Sequence, residues 1–122
     1  MKSESERRRD VRTNVRLPIE LADGDQALSV SSLNIGAGGV YVEVPRFIEP
    51  LTKLSLSMMI PGPTPEEEAS LVETDAIVVR VLPERADPRV NRYEIACAFL
   101  DLSDEHRDIV NRYILTHRVV AT

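Results

Sequence analysis

Apolar and polar residues alternate over six stretches of the chain before the pattern changes to a helical period near the C-terminus. Val15, Leu17, Ile19 and Leu21 alternate across 13–21, the pattern of a half-buried strand. Pro18 cannot donate to a ladder, so this strand is expected at a sheet edge or with a bulge. Asp23-Gly24-Asp25 supplies turn chemistry, and 26–33 reads as the return strand of a hairpin. Val40, Val42 and Val44 then face one side, with Tyr41 and Glu43 on the other, until Pro45 ends the run. Leu54, Leu56 and Met58 alternate with Ser55 and Ser57 across 53–60, and Met58-Met59 is read as core filling. Residues 61–68 combine strand breakers with three consecutive glutamates, which predicts an exposed connection. The stretch 71–82 is long and β-branched, with Ile77, Val79 and Val81 expected on one face. After a break from Pro83 to Pro88, the stretch 90–100 pairs back, with Tyr93, Ile95, Cys97 and Phe99 alternating.

Ser103-Asp104-Glu105 opens a helix over about 103–118. The serine is its N-cap, and two carboxylates stand where the helix dipole favours negative charge. Ile109, Val110, Tyr113, Ile114 and His117 recur at helical spacing and should close an open end of the sheet. Six strands and one helix suggest an all-β fold built as an antiparallel β-barrel, because closure hides edges that would otherwise pair with neighbours. Patterning alone does not separate a barrel from a small sandwich.

A chain of 122 residues suits one domain with one modest core, here poor in aromatics and dependent on Val, Leu and Ile. The expected organisation is a basic N-terminal arm over 1–12 and a single domain over 13–119, its barrel spanning about 13–100. One cysteine, Cys97, cannot form an internal disulfide; it falls on the apolar side of its strand and is read as a small buried hydrophobe. A reducing, cytoplasmic setting is the simpler expectation. The N-terminus has no apolar stretch and nowhere do eighteen apolar residues run together, so neither a signal peptide nor a membrane span is expected.

Charge is divided unevenly. Residues 1–16 carry six cations (Lys2, Arg7, Arg8, Arg9, Arg12 and Arg16) against Glu4, Glu6 and Asp10, a net of +3. The whole chain carries −5, which leaves −8 on the remainder. A basic arm on an acidic body attracts a small anion locally but repels a long polyanion, so DNA and RNA are not expected partners. No paired carboxylates or nucleophile–base set stands out, and an enzyme is not expected. His106 and His117 are eleven residues apart with no acidic or thiol ligand in register, so no metal site or cofactor is expected either.

Two motifs carry the chemistry. The first is Arg7-Arg8-Arg9-Asp10-Val11-Arg12, which by itself reads as a solvated basic tail or a weak attachment to anionic lipid. The second is the glycine turn Asn34-Ile35-Gly36-Ala37-Gly38-Gly39, which by itself reads as a tight strand connection. Together they could hold a phosphate-bearing guanine ligand. Arginine bonds bidentately to guanine O6 and N7, stacks on purine faces and pairs with phosphate. Asn34 offers an amide oxygen to a guanine N–H, while Gly38 and Gly39 permit unusual backbone angles and close approach to the main chain.

The pair resembles the RRxxxR and (D/N)xSxxG motifs of the PilZ domain family, and the likeness extends over nearly the whole chain. Arg7, Arg8 and Arg12 match the first motif; Asn34 and Gly39 match the second; Gly36 stands where the pattern has serine. The resemblance implies a six-stranded antiparallel barrel with a C-terminal helix. It further implies cyclic di-GMP, a bacterial second messenger, held on the outer surface between barrel and arm. Arg8 and Arg12 would meet guanine edges and phosphates, with Arg7 assisting. The hydroxyl absent at Gly36 removes a hydrogen bond worth roughly 1.5–3 kcal/mol, about ten- to a hundredfold in affinity. The expected function is a receptor or adaptor whose arm reorders on binding and regulates an effector protein. The alternative is an interaction protein of the same fold that has lost its ligand. Val119 and Val120 at the helix end suit a contact surface or homodimer as well as a frayed tail.

Overall fold

The computed structural model describes residues 12–121, with side chains described over 13–116. Its strands are β1 (Arg12–Thr13), β2 (Pro18–Asp23), β3 (Gln26–Gly36), β4 (Gly39–Val44), β5 (Lys53–Ile60), β6 (Ser70–Leu82) and β7 (Tyr93–Phe99), and its helix is α1 (Asp104–Ala121). Neighbours run in the order β3, β2, β5, β6, β7, β4, and β4 pairs back onto β3, all antiparallel. That last pairing closes a six-stranded barrel and removes both edges. The two-residue β1 is an addition to the wall, laid on β3 beyond the end of β2.

The period-two pattern fills the barrel as the alternation requires. Ile19 and Leu21, Val40, Val42 and Val44, Leu54, Leu56, Met58 and Ile60, and Tyr93, Ile95 and Cys97 all point inward and are buried. Met58 is core, whereas its neighbour Met59 faces out. Ser103 caps α1 as its sequence predicts: its hydroxyl accepts from the His106 N–H at 3.1 Å. Val110, Tyr113 and Ile114 form the buried face of α1, which packs on β1, β3, β5 and β6.

Three details depart from the patterning. The first predicted strand is split, because Asn14 to Leu17 leave the ladder between β1 and β2. Pro18 is then the opening residue of β2, which lies inside the sheet and not at an edge. The missing N–H is tolerated because β2 joins β5 only from Ile19 onward. In β6 the buried residues are Val72, Thr74, Ala76, Val78 and Val81, while Val79 is 53% exposed and Ile77 half-buried. A bulge between Val78 and Arg80 shifts the phase by one residue, which an unbroken alternation of Ile77, Val79 and Val81 could not foresee. Arg12, expected in the arm, already belongs to a strand.

Candidate functional site

The glycine turn is the hairpin between β3 and β4. Ile35 opposes Val40 across it, and Asn34 opposes Tyr41. A bulge between Ser32 and Asn34 sets the phase: Ser32 is buried, and so is Ile35, which leaves half-buried Asn34 on the outer face of the barrel. On the other edge of β3, Arg12 opposes Gly36 and Thr13 opposes Ile35. The last arginine of the basic cluster is thereby seated, through its backbone, beside the position that lacks the motif serine. Arg7 and Arg8 lie outside the described residues.

Ser32 explains why the chain arrives there. Its hydroxyl accepts from the Leu17 N–H at 2.8 Å and donates to the Val15 carbonyl, and its own N–H donates to the Leu17 carbonyl at 3.0 Å. The segment between β1 and β2 is thus strapped onto β3, and a buried polar side chain finds partners on both sides. Ser32 continues the inward phase of Leu28 and Val30, whereas Ser29 and Ser31 fall on the exposed one, so period two marks it as the serine of this strand that turns inward.

The glycines have separate reasons. A Cβ on Gly39 would run into the Cys97 carbonyl oxygen, so this residue is required by the close approach of β7. A Cβ on Gly38 would meet nothing within 4 Å, which leaves the tip of the turn open to a ligand. Neither residue adopts the left-handed angles that the sequence suggested; close approach, not unusual φ, is what Gly39 supplies.

Beyond Asn34 the outer row continues through Tyr41, Ala96 and Arg80 on successive strands β4, β7 and β6. Arg80 donates to the Tyr41 hydroxyl, and its guanidinium lies 5.8 Å from the centre of that ring. Arg80 is absent from the motif reading. Its signal in the sequence is a charge interrupting a β-branched run, Val78-Val79-Arg80-Val81. Two hollows among the described residues lie elsewhere: one between the 61–68 connection and α1, lined by Glu67, Ile109 and Arg112, and one on the wall rimmed by Glu20, Glu73, Asp75 and Asp101. Four carboxylates around the second make it hostile to a phosphate ligand.

Cys97 behaves as a buried hydrophobe: it is 3% exposed, and burial pushes its thiol up to about 12. No group of His, Cys, Asp and Glu among the described residues is arranged to hold a metal ion. No helix among them is long and apolar enough to cross a membrane.

With this geometry in view, comparison with protein families is decisive, since the PilZ domain model matches residues 6–116. The chain belongs to the PilZ domain family. Comparison with curated proteins gives no match. Among solved structures, this PilZ domain is similar to the Bacillus subtilis inhibitor of motility MotI/DgrA. The TM-score is 0.77 at 21% identity, over 98% of this chain and 57% of that one. It is also similar to K. pneumonia MrkH, solved as a c-di-GMP complex, with TM-score 0.65 at 17% identity over 93% of this chain and 52% of that one. The PilZ domain of CeSA from a cellulose-synthesizing bacterium gives 0.56 at 18% identity, over 85% of this chain and 94% of that domain. At these identities the likeness is one of fold. The chain spans little more than half the length of MotI and MrkH.

Proposed function

We propose that this PilZ domain is a cytoplasmic receptor for cyclic di-GMP that works as an adaptor and has no enzymatic activity. The ligand sits on the outer face at the β3–β4 turn, and Arg7, Arg8 and Arg12 close over it. Asn34 accepts from a guanine N–H, and the exposed Gly38 leaves the main chain open at the tip of the turn, between the buried Gly36 and Gly39. The observation that carries this reading is the pairing of Arg12 with Gly36, which brings the root of the basic cluster to the turn. Two guanidinium groups four residues apart can then reach one anionic purine ligand from a fixed origin. Ordering of residues 1–11 around the ligand changes the surface offered to an effector protein, since bound and free states expose different groups.

Isothermal titration calorimetry with cyclic di-GMP tests the proposal. The full chain should give saturable heat in the micromolar range, and Arg8→Ala should lose at least tenfold in affinity, in keeping with removal of a charge-assisted contact. Absence of heat at high micromolar ligand would reject the receptor reading.

Two observations favour a second reading, an interaction protein of the same fold that binds no nucleotide. Gly36 supplies no hydroxyl, and Gly39 is explained by its packing against β7 without any ligand. Gly36→Ser separates the readings. A receptor gains about ten- to a hundredfold in affinity from the restored hydroxyl. A protein that has lost its ligand goes from no binding to some.

A further inference from the structure

We propose that Arg80, oriented by Tyr41, is an additional ligand contact of this face and reads the edge of a guanine base; this rests on the receptor reading above. Asn34, Tyr41, Ala96 and Arg80 stand directly opposite one another on β3, β4, β7 and β6. In an antiparallel ladder, opposed residues share a face. Three inter-strand steps of about 4.8 Å separate the two ends of the row, so Arg80 stands at the far side of the surface that Asn34 begins.

Both ends are placed by an irregularity. Bulges interrupt β3 between Ser32 and Asn34 and β6 between Val78 and Arg80, and no other pairing in the barrel shifts register among the described residues. A regular β6 continuing from buried Val78 would turn Arg80 inward and Val81 outward. The bulge reverses this, so Val81 is 2% exposed and Arg80 faces solvent. Bulges of this kind commonly re-aim one side chain. Here two of them aim polar groups onto the same row.

Arg80 is also held without being neutralised. Nearby Arg92 is paired with Glu43 at 3.2 Å, whereas Arg80 has no carboxylate partner among the described residues. Its described contact is the Tyr41 hydroxyl and ring. The two side chains meet over Ala96, which is 8% exposed, and Ala98 extends the same small-residue floor along β7. A planar donor fork above an apolar floor suits the flat face and O6/N7 edge of guanine better than a hydrated phosphate.

The experiment titrates the full chain with cyclic di-GMP and cyclic di-AMP as native protein, Arg80→Ala, Arg80→Lys and the control Arg85→Ala. Thermal melts by circular dichroism confirm that each variant folds. Both Arg80 variants should bind cyclic di-GMP about tenfold or more weakly, because lysine keeps the charge but not the bidentate fork, while Arg85→Ala binds as the native chain does. Binding of cyclic di-AMP, which presents an amine in place of O6, should change less. Native-like binding by Arg80→Ala overturns the assignment and leaves the receptor reading standing. Native-like binding by Arg80→Lys shows that charge alone acts there and overturns the base-reading role. No binding by the native chain removes the receptor reading and this one with it.

Discussion

Gly39 and Cys97 meet across the β4–β7 ladder through the backbone of β7. The glycine exists because the Cys97 carbonyl occupies the space a side chain would need. The thiol on the same residue lies in the hydrophobic core and is kept protonated by desolvation, up to about 12 against an ordinary 9.0. The consequence for stability has a definite sign. Below pH 9 the thiol is protonated in both folded and unfolded chains, and its contribution is fully present. Above pH 9 the unfolded chain releases the proton and the folded chain keeps it, so stability falls as pH rises toward 12, by up to about 1.4 kcal/mol per pH unit. Urea unfolding between pH 8 and 11 should show this slope, and Cys97→Ala should flatten it. An equal slope in both proteins would show that the burial of this thiol is not linked to folding.

At the level of elements, Ser32 joins the arm to the barrel. Three hydrogen bonds fix Val15 and Leu17 to it, and β1 directly precedes that fixed segment. Ser32→Ala leaves the buried Leu17 N–H and Val15 carbonyl short of a partner, which costs about 1–3 kcal/mol of unfolding free energy. On the receptor reading it also weakens cyclic di-GMP binding, because Arg12 loses its fixed place beside Gly36. Denaturant melts and calorimetry measure the two effects separately, and stability loss with unchanged affinity would detach β1 from the site. Elements such as β5 and α1 were legible in the residues because one period fits each: Leu54, Leu56 and Met58 allow only one buried face, and Ser103 marks where its helix begins. In β6 the run Ile77-Val78-Val79 is apolar in both phases, so alternation could not choose, and the charge of Arg80 marks an outward residue without showing that a bulge puts it there. The motifs at Arg12 and Asn34 were legible for a different reason, since their spacing resembles a family pattern. Tyr41 and Arg80 became neighbours only when β7 was placed between their strands.

For the whole molecule, closure of the barrel and binding at its surface use different parts of the chain. The buried core described here runs from Leu17 to Ile114. Residues 1–11 hold Arg7 and Arg8, and with Arg16 and Arg12 they supply the positive charge on an otherwise acidic protein. On the receptor reading, in which the arm serves the ligand, deleting residues 1–11 should leave the melting temperature within a few degrees of the full chain. The effect of the ligand on that temperature should differ sharply. A ligand at a hundred times its dissociation constant stabilises the native state by about 2.7 kcal/mol. For a domain of this size that is an upward shift of roughly 10 °C. The full chain should show the shift with cyclic di-GMP, and the truncated chain should show little of it, since Arg12 alone of the three motif arginines remains. If both proteins shift equally, the arm takes no part in holding the ligand and the site reduces to the outer row of the barrel. If the truncated chain melts far lower without ligand, the arm belongs to the fold, and a surface switched by its ordering becomes untenable.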